Sequence, residues 1–283
     1  MSSQLKEITN EAINRFKVHL LEEEKSKNTI EKYIRDVTFY MVWLNGREAT
    51  KLLTLEYKKF LCEKYAPASV NSVISALNSF FSFMEWYNIR IKALKIHRQM
   101  FSNGDKELTK EEYERLLTVA KSKNKKKLYF IMQTICSTGI RVSELRYITT
   151  SAVKSGQAVI DCKGKLRVIF LPKKLCGILE RYIKENDIKT GPVFVSRSGK
   201  PLDRSYIWKM LKRLCEIAGV SSKKVFPHSF RHLFARTYYS LQKDIVRLAD
   251  ALGHSSINTT RIYTIENGEV HRRQIQKLGL LRC

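Results

Sequence analysis

Through the first hundred residues the apolar positions recur at steps of three and four, and strand-like alternation is absent before residue 95. Ile13, Phe16, Val18, Leu20 and Leu21 mark a first helix over 9–22. Asn28 and Glu31 have the spacing of a cap, and Ile30, Tyr33, Ile34, Val37, Met41 and Leu44 then line one helical face up to Asn45-Gly46. A shorter helix is expected over 55–65, broken by Ala66-Pro67. A long one follows, with Val70, Val73, Ile74, Leu77, Phe81 and Met84 inward. Residues 1–97 therefore read as an all-helical domain of four or five helices.

The period changes further on. Residues 98–107 lack periodicity, contain Asn103-Gly104 and read as a linker. Thr109 and Glu112 form a capping box for a helix to about residue 122, and a buried-looking helix over 128–138 ends at Gly139. Arg141-Val-Ser-Glu-Leu opens a short helix. Residues 158–161, 162–165 and 166–171 read as strand, tight turn and strand, with Pro172 closing the second. Helices are expected over 174–186, 203–218 (Ile207, Leu211, Leu214 and Ile217 on one face), 229–240 and 244–252, with a short strand at 192–196. Gly253-His254 is a turn, and 256–265 a last helical segment. The expected fold is mainly α with a small antiparallel β-sheet: a helical N-terminal domain, then an α+β domain over 108–283 whose tail carries Val270, Ile275, Leu278, Leu280 and Leu281 among basic residues.

Charge narrows the partner. The 283 residues carry a net charge of +25, and it is uneven. Residues 1–100 hold 16 Lys and Arg against 11 Asp and Glu; residues 101–283 hold 36 against 16. Such an excess repels itself unless a polyanion neutralises it, which puts nucleic acid first and an anionic membrane surface second. No apolar run of membrane-spanning length and no signal peptide stands in the sequence. The six cysteines (Cys62, Cys136, Cys162, Cys176, Cys215 and Cys283) are scattered without a CxxC pair, so neither a disulfide framework nor a zinc site is expected. An intracellular, cytoplasmic protein with free thiols fits this usage.

The candidate chemistry lies near the end, in Val225-Phe-Pro-His-Ser-Phe-Arg-His and Leu252-Gly-His through Tyr263. His228 and Arg231 are three residues apart and so share a helical face. With His254 and Tyr263 they put two imidazoles, a guanidinium and a phenol in one basic segment, a candidate for phosphate chemistry. Taken singly, each residue is more often an ordinary packed or surface group, and only the combination points to chemistry.

Four motifs in order join this segment to the residues upstream: Thr138-Gly-Ile-Arg-Val-Ser-Glu-Leu145, the turn Lys163-Gly-Lys165, His228-Ser-Phe-Arg231-His, and Leu252-Gly-His254 through Tyr263. Together they resemble the tyrosine recombinase (phage-type integrase) family over residues 109–265, and the helical first hundred residues resemble that family's core-binding domain. The resemblance implies Arg141 and Arg231 as an arginine pair, Lys163 as the turn lysine, His228 and His254 as the two histidines, and Tyr263 as the nucleophile. It further implies that the two domains clamp duplex DNA, and that four protomers assemble on paired sites, alone or with a related recombinase. Strands would exchange in pairs through a Holliday junction, with the tail docking on a neighbouring protomer. Ordinary packing of the tail on its own domain is the alternative. The family's larger integrases commonly carry an arm-binding domain ahead of the core-binding domain. The helical pattern starts almost at Met1, which points to a compact, Xer-like or transposon-type member.

The residue types suit that chemistry. A tyrosine phenolate can attack a phosphodiester, conserve its energy in a 3′-phosphotyrosine bond and leave again. Two guanidiniums can clamp the charge that grows on the non-bridging oxygens. A lysine in a turn can protonate the departing 5′-oxygen, and a histidine can take the phenol's proton or bond the phosphate. No metal or cofactor is called for, and the sequence shows no carboxylate cluster for Mg²⁺. Several positions stay open. Cys162 stands where the family often has Gly, so Lys165 rivals Lys163. Tyr238 and Tyr239 are rival nucleophiles. Glu144 supports the site or is a helix-surface residue, His232 is structural, and Lys223, Lys224 and Arg261 are candidate phosphate contacts. A type IB topoisomerase-like enzyme and a non-catalytic DNA-binding protein are the competing functions.

Overall fold

Side-chain caps start most of the N-terminal helices. Thr9 Oγ1 accepts from Ala12 N at the head of α1 (Asn10–Glu22). Thr50 Oγ1 accepts from Leu53 N at the head of α3 (Lys51–Lys64). The helix between them, α2 (Lys27–Leu44), is capped by Ser26, whose Oγ accepts from Thr29 N. The expected cap, Asn28, is already inside the first turn, because Ser26 is the last residue with extended backbone before the helix. Pro67 opens α4 (Pro67–Phe83), where its missing N–H costs nothing. The computed structural model describes residues 6–96, 107–162, 165–196, 198–263 and 276–277, the side chains of Cys162 and Lys165 excepted. The expected linker therefore lies outside the described residues apart from Glu107, as do Lys163 and nearly all of the C-terminal tail.

Two compact units divide the chain at Met1–Arg98 and Gln99–Cys283. The first is entirely helical among its described residues, and Phe16, Tyr40, Leu77, Phe80 and Phe81 fill its centre. Each such side chain contributes about 1.5–3 kcal/mol by leaving water. In α1 the inward positions are Ala12, Ile13, Phe16 and Leu20; Val18 and Leu21 face out.

The second unit packs α5 (Lys110–Ser122), α6 (Lys126–Thr138), α8 (Lys173–Glu185) and α9 (Arg204–Ala218) around one core that includes Ile131, Ile135, Leu179, Leu211 and Phe230. Between α6 and α8 lie a 3-10 turn (Val142–Tyr147), a short helix α7 (Thr150–Ser155) absent from the sequence reading, and the antiparallel pair β1 (Gln157–Cys162) and β2 (Lys165–Phe170). The expected strand at 192–196 reduces to two isolated bridges, Thr149 to Pro192 and Val195 to Pro201. Pro192 has no N–H with which to continue a ladder. On α9, Cys215 and Ala218 turn inward and Ile217 is 56% exposed, because the buried row runs 207, 211, 214, 218. The chain then forms α10 (Pro227–Gln242), α11 (Ile245–Leu252), α12 (Ile257–Thr260) and a 3-10 turn (Arg261–Tyr263). These carry a small satellite core of Ala235, Leu248, Leu252 and Tyr263. No helix among the described residues is long and apolar enough to cross a membrane.

Candidate active site

Three helix ends build the site. Gly139 caps α6 in the left-handed region at φ +65°. A Cβ there would lie 2.5 Å from the Phe234 ring, so glycine is needed both for the turn and for the approach of α10. Arg141 follows two residues later and caps the 3-10 turn. Its N–H donates to Glu144 Oε2 at 2.8 Å, and its Nη1 donates to Glu144 Oε1 at 2.9 Å. Glu144 is buried, and Arg167 Nη2 donates to its Oε2 at 2.7 Å. One carboxylate thus holds two guanidiniums, and its burial rules out the helix-surface alternative.

Arg231 sits one turn into α10, which Pro227 opens. Its side chain is 1% exposed, a large cost for a permanent cation unless its donors are met. The Nη donors are: Nη1 donates to Gly139 O, and Nη2 donates to Leu252 O at 2.7 Å and meets His254 Nε2 at 3.0 Å, while the buried Nε has no partner among the described residues. Leu252 O also accepts from Arg167 Nη1, and Gly253 O accepts from Arg141 Nη2 at 3.5 Å. The carbonyls ending α11 lack helical partners and form its negative pole, so they collect three guanidiniums. Burial, and then Arg141, lower the Arg231 pKa to about 10, which leaves it charged at neutral pH. Three cations against the single carboxylate of Glu144 leave a local excess of positive charge, suited to an anion.

The imidazoles around it are neutral. Burial and then Arg231 push the His254 pKa down to about 4, and burial and then His228 push that of His232 down to about 4. His228 is lowered by burial and by Arg231. It lies at the exposed rim of α10, its ring 5.8 Å from His232. Thus Arg231 and His228, expected on one helical face, divide between interior and rim.

Tyr263 closes the site at 7% exposure. Its ring stacks on His254 with centroids 6.2 Å apart at 16°, and meets His232 edge to face at 4.9 Å and 85°. The rival tyrosines have other neighbours: Tyr238 packs on Phe234, and the Lys243 ammonium lies over Tyr239. Of the suggested phosphate contacts, Lys224 is bound to Glu112 at 3.0 Å, while Lys223 and Arg261 are exposed. Among the described residues no group of three or more His, Cys, Asp and Glu is placed to hold a metal ion.

Arg167 was missed. Along β2 the outward positions are Leu166, Val168 and Phe170, and Arg167 and Ile169 turn inward. The reading of 166–171 as a strand assigned no face and did not single out Arg167. The usable signal was a lone arginine at the same alternation as Ile169.

Comparison with known proteins places the chain and its fold. Residues 106–269 match the phage integrase family, and residues 13–88 match the phage integrase N-terminal SAM-like domain. The tyrosine recombinase XerA of Thermococcus kodakarensis is 31% identical, over 96% of this chain and 96% of its own. A XerH site-specific recombinase solved in a post-cleavage complex with a palindromic difH substrate is similar with a TM-score of 0.67 and 22% identity, over 96% of this chain and 97% of that one. A lambda integrase tetramer bound to a Holliday junction is similar with a TM-score of 0.72 and 19% identity, over 89% of this chain and 76% of that one.

Proposed function

The chain belongs to the phage integrase family of tyrosine recombinases, enzymes that cleave and rejoin DNA strands, and from that premise we propose that it works through Tyr263, Arg141, Arg231, His228, His254 and a turn lysine, Lys163. The carrying observation is the convergence of Arg231, His254 and Tyr263. A buried guanidinium touches an imidazole that stacks on the phenol, beside a second arginine held by Glu144.

In this reading the scissile phosphate enters the excess positive charge beside Arg141 and Arg231. Tyr263 gives its phenolic proton to a histidine or to solvent and attacks the phosphorus, the 5′-oxygen leaves with a proton from Lys163, and the 3′-phosphate stays on the tyrosine. The arginines stabilise the two non-bridging oxygens as the pentavalent state gains charge, which requires no reorganisation because their donors are already oriented. A free 5′-hydroxyl reverses the step on the same or an exchanged strand. Both units contact double-stranded DNA, and protomers assemble as a tetramer on paired sites, as the lambda integrase tetramer on a Holliday junction supports. The C-terminal tail serves the contacts between protomers. A topoisomerase-like activity or DNA binding without catalysis is not favoured, since the relatives are named tyrosine recombinases.

The test is a nicked suicide substrate bearing the native sites, read on a denaturing gel. The wild type yields a covalent protein–DNA adduct; Tyr263→Phe yields none and still shifts DNA in a native gel. A wild type that forms no adduct, or a Tyr263→Phe variant that does, overturns the assignment.

A further inference from the structure

Arg167 stands outside the residues so far given a role, yet it makes the connections that join the others. Its guanidinium, 14% exposed, lies between the 3-10 turn and the end of α11. Nη2 holds Glu144 Oε2 at 2.7 Å, on the carboxylate whose other oxygen holds Arg141 Nη1 at 2.9 Å. Nη1 donates to Leu252 O, the same carbonyl that accepts from Arg231 Nη2. Each cation of the arginine pair is thus one shared acceptor away from Arg167. A second observation shows that room is kept for it. Gly253 has φ +62°, and a Cβ built there would collide with the Arg167 guanidinium. The glycine after α11 therefore serves the cap and the guanidinium together.

From this geometry we infer that Arg167 is a positioning residue for strand cleavage: it locks the carboxylate of Glu144 and the carbonyl of Leu252 so that Arg141 and Arg231 present their free donors to one phosphate. The inference rests on the recombinase reading. The planar fork of an arginine reaches two acceptors at fixed separation, which one ammonium cannot reproduce. Arg167 also sits on β2, four residues after Lys163 in the chain. An effect through that lysine is the rival, and chemistry separates the two. A substrate with sulfur at the 5′-bridging position has a leaving group that needs no proton. It relieves a fault in the lysine but not a fault in the arginine clamp.

The experiment compares wild type, Arg167→Gln, Arg167→Lys and Gly253→Ala on oxygen and 5′-bridging phosphorothiolate suicide substrates. Thermal melting and native-gel affinity are measured alongside. The expected result is that all three variants bind uncleaved DNA as the wild type does and lose about tenfold or more in single-turnover cleavage, because charge-assisted hydrogen bonds that orient the transition-state donors are gone. The loss persists on the sulfur substrate, and Arg167→Lys does not restore the rate. Cleavage within about twofold of wild type overturns the inference. So does full rescue by sulfur, a loss of affinity matching the loss of rate, or failure of all three variants to fold, which would make Arg167 a stability element alone. Absence of an adduct from the wild type itself would instead overturn the recombinase reading.

Discussion

His254 is held at both ring nitrogens, and its contact with Arg231 decides which one carries the proton. Nε2 lies 3.0 Å from Arg231 Nη2, and a guanidinium can only donate, so Nε2 accepts. The proton is on Nδ1, which donates to the buried Thr260 Oγ1 at 2.8 Å. Thr260 thereby supports the tautomer that Arg231 fixes, by accepting the Nδ1 proton.

Thr260→Val keeps the shape and removes the acceptor. An unpaired Nδ1–H costs about 1–3 kcal/mol, which is about a tenfold fall in cleavage if the other tautomer takes over. Single-turnover cleavage with unchanged DNA affinity is the expected outcome, and Thr260→Ser is expected to restore most of the rate.

Arg141→Ala should reduce cleavage by on the order of 3 kcal/mol, about a hundredfold or more, with DNA binding retained. Arg231→Ala should do this and also lower the melting temperature, since it strands the carbonyl of Gly139 and takes one of two guanidinium donors from that of Leu252. The difference in melting between the two variants measures the burial of Arg231 against the partial exposure of Arg141.

The pH dependence has a definite sign. His254 and His232 hold pKa values of about 4 in the folded chain, below the usual 6.5. Between these values the unfolded chain binds more protons, so stability is fully present above about pH 6.5 and falls as pH drops towards 4. The melting temperature should therefore decline on acidification, with a shallower slope in His232→Gln. Both imidazoles stay neutral from pH 5 to 8. Any change of cleavage rate in that window belongs to another group, and His254→Gln should not shift its midpoint.

Gly139→Ala combines a strained left-handed backbone with a clash on Phe234. A loss of about 1–3 kcal/mol in stability is expected from forced repacking. Cleavage should fall as well, because Gly139 O is a partner of Arg231. Urea unfolding with the slope unchanged would check the first part.

Much of this was readable before any coordinates. Ile30, Val37 and Leu44, or Val70, Ile74, Leu77 and Phe81, sit on the buried faces that helical spacing implies, because a helix repeats its inward direction with a fixed period. Where the reading failed, local pattern was degenerate. Ile217 and Ala218 are neighbours on α9 and only the partner helices decide which is covered. The apolar Leu166, Val168 and Phe170 lost the inward face to Arg167 and Ile169 because acceptors for a guanidinium, Glu144 and the end of α11, wait on that side.

The sequence by itself determined the two-part, mainly helical organisation, the strong positive charge and the residue types of a candidate phosphate site, since period, charge and motif spacing are properties of the chain alone. Only the tertiary structure decided that Arg231 is buried while His228 is at the rim, that His254 is neutral with its proton on Nδ1, and that Arg167 joins Glu144 to Leu252. Those outcomes depend on acceptors that lie 20 to more than 90 residues away in sequence, at helix ends whose unpaired carbonyls become neighbours only once the helices have packed.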